Sequence, residues 1–148
     1  PIERLGSVDS IVVIGKLKND DREFLELYND NVVQAKIMPT RFVNLSSQEI
    51  VEIDAFYAKS VTAIAGIGNP DKFFSSLSRA GVNIQHEKIF KDHHKFKVED
   101  FQEVSSSETV VMTYKDAIKC KDFAKENWWY LDIDLSGFDL SLSTNNLL

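Results

Sequence analysis

One segment narrows the fold more than any other. Val61-Thr62-Ala63-Ile64-Ala65 runs into Gly66-Ile67-Gly68-Asn69-Pro70-Asp71 and then into Phe73, Phe74 and Leu77. The apolar run reads as a buried strand. Asn69 is suited to cap a following helix, Pro70 to occupy its first turn, and Asp71 to sit at the positive end of its dipole. Phe73, Phe74 and Leu77 fall on one helical face, and Gly81 follows Arg79 as a stop signal. The segment spells strand, glycine turn, helix.

The pattern then repeats. Val82 to Phe90 reads as a strand, leading through Lys91-Asp92-His93-His94-Lys95-Phe96 to a short helix from Val98 to Val104. Ser105 to Ser107 form a loop. Thr109 to Met112 form another strand, and Thr113 with Asp116 has capping-box spacing for a helix through Phe123 and Ala124. Trp128 to Ile133 is a last strand. Strands alternating with helices predict an α/β fold: a mainly parallel sheet with helices on both faces, three-layered and Rossmann-like. With 148 residues, 43% hydrophobic and 27% charged, the chain is globular and the size of one domain.

The first third is less regular. Ile11 to Ile14, ended by Gly15, is expected to be a fully buried strand. Lys18 to Asp21 reads as a polar turn and Arg22 to Tyr28 as a short, partly amphipathic helix. Val33 to Leu45 is strand-rich, with Pro39 a break or an edge position. Ser46-Ser47-Gln48-Glu49 has capping-box spacing for a helix through Ile53. The tail from Leu135 to Leu148 alternates apolar and polar residues, with a helix as one option.

In a parallel α/β sheet the loops leaving the carboxyl ends of the strands share one rim, where ligands bind. Gly66–Asp71, Asp92–His94 and Thr113–Lys119 are such loops. Gly66 and Gly68 before a helix capped by Asn69 offer backbone N–H groups to an anion, or simply a tight turn. The turn is no dinucleotide fingerprint, because Asp71 stands where a third glycine belongs, and no Walker A loop, because Phe73 follows Lys72. Asp92-His93-His94 supplies a histidine beside a carboxylate. That is a general base, a set of metal ligands, or a solvated polar pair. Lys115 and Lys119, four apart, share a helical face that points either to a phosphate or to solvent.

Asp132 and Asp134 share a strand face, as metal ligands or as solvated carboxylates. Trp128-Trp129-Tyr130 reads as core in preference to a membrane anchor, and Cys120 as packing. A single cysteine excludes an internal disulfide. A net charge of -6 disfavours nucleic acid and anionic lipid headgroups as general partners, though a local basic patch is compatible with it. The chain begins at Pro1, which is read as a cut inside a longer protein.

Taken in order, these segments resemble one family. Ala65-Gly66-Ile67-Gly68-Asn69-Pro70-Asp71-Lys72-Phe73-Phe74 is similar to the AGIGNPERFF segment of tetraacyldisaccharide 4′-kinases. Asp92-His93-His94-Lys95-Phe96 looks like the family's Asp-His-His-x-Phe motif. Met112 to Cys120 resembles MTEKDAVKC, and Trp129-Tyr130-Leu131 the closing strand. Tyr114 departs from the family's glutamate. The resemblance implies that residues 1–148 are the single C-terminal α/β lobe of a two-lobed kinase whose N-terminal P-loop lobe is absent.

The implied reaction moves the γ-phosphate of ATP to the 4′-hydroxyl of tetraacyldisaccharide 1-phosphate, forming lipid IVA in lipid A synthesis. The implied setting is the cytosolic face of the bacterial inner membrane. ATP and Mg²⁺ are expected on the absent lobe, and this fragment is expected to bind neither and to be inactive alone. His93 maps onto the family's catalytic histidine and Asp92 onto the acid beside it. His94, Lys115, Asp116, Lys119, Gly66, Gly68 and Asn69 are expected near substrate or phosphate. The implied partners are the lipid A disaccharide precursor, the P-loop lobe and the membrane surface. Two other classes fit the residues: a metal-dependent phosphoesterase using Asp92, His93 and His94, and a non-catalytic α/β binding module.

Overall fold

Asn69 caps its helix as its side chain allows: the carboxamide oxygen accepts from the Lys72 N–H at 3.3 Å, and Pro70 opens the helix. This is α2, Pro70–Arg79, which follows strand β4, Ser60–Ala65. Phe73, Phe74 and Leu77 of α2 are buried, each contributing about 2 kcal/mol by removal from water. Gly81 ends the turn with φ +78°. The computed structural model describes residues 2–137, which fall into two compact units.

The larger unit, residues 39–133, holds the sheet that matters for function. Besides β4 it contains β5 (Asn83–Ile89), β6 (Val110–Thr113), most of β7 (Trp128–Ser136) and the end of β2 (Val32–Asn44). The order is β2-β7-β6-β4-β5, and β5, β4, β6 and β7 are mutually parallel. The short strand β3, Ile50–Glu52, returns antiparallel to β2.

Alternation along the strands feeds two cores, as period-two geometry requires. Val61, Ala63 and Ala65 of β4, Val111 of β6 and Leu131 of β7 pack with α2 and with Phe56. Ile64, Val110, Met112 and Trp128 point the other way. They pack with Phe101 and with Ala117 and Cys120 of α3, Tyr114–Cys120. Helices therefore cover both faces of this sheet. Trp128 is core, and burial lifts the Cys120 thiol to about 12, so both residues serve packing.

Among the described residues the smaller unit comprises 2–38 and 134–137. It contains a 3₁₀ turn (Ile2–Ser7), β1 (Ile11–Ile14), α1 (Asn19–Glu26) and the start of β2, which pairs parallel with β1. Asn29 ties it locally, its Nδ2 donating to the Leu5 and Val8 carbonyls.

Several local expectations are corrected. β1 is not fully buried: Ile14 is 56% exposed and Val12 also faces out, because β1 is an edge strand. α1 starts at Asn19, within the stretch expected to be a turn, with Asp20 and Asp21 favourable in its first turn. Pro39 does not interrupt β2. The helix expected after Ser46 is instead a hairpin. The Asn44 side-chain oxygen accepts from the Ser46 and Ser47 N–H groups, Gln48 adopts φ 61°, and the chain turns back as β3. A local side-chain-to-backbone bond outcompetes the helix nucleus there. α3 stops at Cys120 and continues only as a 3₁₀ turn, Lys121–Phe123. The expected helix after Lys97 is likewise a 3₁₀ turn, Val98–Phe101. Leu135 and Ser136 belong to β7, and residues 138–148 of the tail lie outside the described residues.

Candidate active site

β6, β4 and β5 are adjacent and parallel, so the loops that leave them meet on one rim. One carboxylate stitches two of those loops together, and a second packs against the glycine turn. Asp116, in the first turn of α3, is fully buried. Its Oδ2 accepts from the Gly66 N–H at 2.9 Å and from the Thr113 hydroxyl at 2.7 Å, and its Oδ1 from Lys119 Nζ at 3.0 Å. A buried carboxylate is tolerable only with its lone pairs engaged and a cation close by, and both conditions are met. Asp92, after β5, packs against Gly68, where a Cβ would lie 3.3 Å from Asp92 Oδ2.

These contacts explain the first glycine of the turn. A Cβ on Gly66 would stand 3.1 Å from Phe96 Cζ and 3.2 Å from Asp116 Oδ1. Phe96 and Asp116 are buried, so neither has room to give. The Gly66 N–H is donated to Asp116, and the Asn69 side chain caps α2. Lys119 folds back over Asp116 and lies 5.6 Å from the Phe96 ring centre. Of the two helix lysines, Lys115 is exposed to solvent and Lys119 is half-buried. Tyr114 packs its ring on Tyr130 at 5.1 Å. Burial, then the nearby Asp132 carboxylate, raises the Tyr130 hydroxyl above its ordinary value.

His93 stands out from this network. Its side chain is 92% exposed, and its backbone is left-handed at φ 60°. That conformation costs a non-glycine residue about 1–2 kcal/mol. Strain of this kind concentrates at functional sites. Asp92 Oδ1 accepts from the His93 N–H at 3.0 Å, whereas Asp92 Oδ2 lies 3.8 Å from His93 Nε2. The second distance exceeds hydrogen-bond length, so Asp92 orients the His93 backbone and supplies charge near the ring. The imidazole thus faces solvent, open to a group that approaches the rim.

His94 points elsewhere. Its Nε2 lies 2.9 Å from Asp100 Oδ2, and its ring stacks on Phe90 and meets Phe96 edge-on. Burial works to raise the Asp100 carboxyl. The bonds from His94 and from the Lys97 N–H outweigh it and hold the group below its ordinary value. Asp132 is paired with Arg41 at 2.8 Å, and the Asp134 side chain accepts from the Leu135 N–H. Among the described residues no three or more His, Cys, Asp or Glu side chains are grouped to hold a metal ion. Of the supporting residues, Phe90 and Asp100 escape a reading of the sequence, whereas Thr113 is legible as the cap of α3 and Phe96 as the end of the Asp-His-His-Lys-Phe segment. No capping signal points to Asp100, because the Lys97 side chain has no acceptor; Asp100 caps the turn through the Lys97 N–H alone.

Comparison with known proteins agrees with this architecture. The family described as tetraacyldisaccharide-1-P 4′-kinase matches residues 1–146. The tetraacyldisaccharide 4′-kinase of Francisella philomiragia is 61% identical over 135 residues, 91% of this chain and 42% of that protein. The Francisella tularensis subsp. novicida protein of the same name is 56% identical over the same shares. The chain therefore spans 42% of the length of these curated relatives. LpxK from Aquifex aeolicus, solved in complex with ATP, shares the fold with a TM-score of 0.66 at 20% identity, covering 97% of this chain and 43% of that one. A match along nearly the whole sequence, on a sheet whose rim carries the Asp-His-His loop, leaves one conclusion: the chain belongs to the tetraacyldisaccharide-1-P 4′-kinase family.

Proposed function

We propose that this chain supplies the proton-accepting rim of a lipid kinase that phosphorylates the 4′-hydroxyl of tetraacyldisaccharide 1-phosphate with the γ-phosphate of ATP, yielding lipid IVA. Family membership supports the reaction. The observation that carries the assignment to a residue is His93, an exposed imidazole on a left-handed backbone at the rim. In this reading a nitrogen of the His93 ring takes the hydroxyl proton as the sugar oxygen attacks the γ-phosphorus. Asp92 holds the His93 backbone and contributes negative charge beside the ring as it becomes positive.

Phosphoryl transfer also requires the nucleotide and its Mg²⁺ to be positioned. The residues of this chain do not fit that task. It has no Gly-x-x-x-x-Gly-Lys-[Ser/Thr] sequence to cradle the phosphates. ATP and Mg²⁺ are therefore assigned to the part of the kinase that this chain does not span, and the chain alone is inactive. Lys115, exposed on the first turn of α3, is one cation available to an approaching phosphate.

No helix among the described residues is long and apolar enough to cross a membrane. The acylated substrate would be met at the cytosolic face of the bacterial inner membrane. The test is turnover by the kinase that contains this chain. His93→Ala lowers kcat by about 10²–10⁴-fold, the scale of a lost general base. Near-normal turnover in that variant removes the assignment.

A further inference from the structure

The turn that presents His93 is exposed and has little of its own to hold it. Phe90 N–H donates to the Ala65 carbonyl at 2.8 Å, and His94 N–H to the Lys91 carbonyl at 3.0 Å. Those bonds fix the entry and close the turn, leaving Asp92 and His93 at its tip. A left-handed histidine at a turn tip is disfavoured against ordinary conformations. Something must therefore hold the exit as well.

His94 does so, in the opposite direction from His93. Its ring lies 4.7 Å from Phe90 at an interplanar angle of 29°, and 4.9 Å from Phe96 at 83°. Phe96 is buried beside Gly66 and so belongs to the clasp that joins the rim loops. At the far end of the ring, Nε2 meets Asp100 Oδ2 at 2.9 Å, and the same oxygen accepts from the Lys97 N–H at 2.8 Å. Asp100 is thereby fixed by the 3₁₀ turn it helps to start. Anchoring the residue directly after His93 limits the peptide rotation that would swing the neighbouring imidazole away.

The geometry points to His94 and Asp100 as a positioning pair for His93: their imidazole–carboxylate bond locks the turn that aims the base. This inference rests on the assignment of His93 as the proton acceptor. The specific bond matters, beyond the bulk of the ring, because the aromatic stack alone lets the ring slide in its plane.

Three substitutions separate bond from bulk in the kinase that contains this chain. His94→Phe keeps the stack on Phe90 and removes the donor. His94→Gln places an amide nitrogen where Nε2 stood. Asp100→Asn weakens the acceptor. His94→Phe is expected to lower kcat about 10–100-fold, the scale of an ångström-sized misplacement, with KM for both substrates unchanged within about twofold. His94→Gln recovers most of the loss, and Asp100→Asn resembles His94→Phe. Added to His93→Ala, His94→Phe costs less than about twofold more, since no base remains to be aimed.

Full kcat in His94→Phe overturns the inference. So does a double variant whose loss is the product of the two single losses, which would give His94 an independent role. A KM raised with kcat retained makes His94 a substrate-binding residue and also overturns it. The His93 backbone chemical shifts of histidine-labelled protein give a readout independent of turnover. They move in His94→Phe and return in His94→Gln; unchanged shifts in His94→Phe refute the lock. Normal turnover in His93→Ala with those shifts moving as expected defeats only the base assignment.

Discussion

Replacing His93 by glycine should stabilise the chain while removing the proposed proton acceptor. The backbone there is left-handed at φ 60°, which costs an L-residue about 1–2 kcal/mol and glycine almost nothing. Against that gain stands the greater freedom of glycine in the unfolded chain, about 0.4–1 kcal/mol. The lost side chain subtracts little. It is 92% exposed, and its 3.8 Å approach to a half-exposed Asp92 is worth close to nothing in water. The balance favours His93→Gly by about 0.5–1 kcal/mol. In a chain of 148 residues that raises Tm by about 1–4 °C. Urea and thermal unfolding of both proteins measure it, alongside turnover in the kinase. A variant less stable by 1 kcal/mol or more refutes the reasoning, because glycine at an ordinary backbone position loses about that amount.

Two further predictions concern the clasp and the acid limb. Asp116→Ala leaves Lys119, Thr113 and the Gly66 N–H without their shared partner. It should destabilise by about 3 kcal/mol in urea unfolding, and a loss under about 1 kcal/mol contradicts the clasp. Asp100 is held below its ordinary value, as is Glu108, chiefly by the Thr62 hydroxyl. The unfolded chain binds these protons more readily, so their contribution is full above about pH 5 and lost as pH falls through the depressed native values. Between pH 6 and 3 the urea midpoint of Asp100→Asn should therefore fall less than that of the parent, and parallel curves contradict the assignment.

Much of the rim was legible because its signals are local. Asn69, Pro70 and Asp71 announce α2 within three residues, and the apolar runs of β4 and β6 are unambiguous once flanked by capped helices. Parallel order then puts the three loops together. Long-range partners were not legible. Asp116 at capping-box spacing gives no hint that its carboxylate turns inward to a glycine fifty residues earlier, an |i−j| of 50. His94, expected near substrate or phosphate, gives no sign in the sequence of its bond to Asp100, six residues on. The segment after β2 misled for a third reason. Ser46 to Glu49 has helix-start spacing, but the deciding residue is Asn44, whose carboxamide takes two backbone donors and starts a hairpin.

The most direct test of the account is chemical rescue. In the kinase carrying His93→Ala, the exposed rim leaves room for free imidazole to stand where the side chain was. Single-turnover phosphorylation of tetraacyldisaccharide 1-phosphate should rise with imidazole concentration, while the parent enzyme stays indifferent to it. Equal insensitivity of variant and parent, with the variant already turning over at the parent's rate, would contradict His93 as the group that takes the proton.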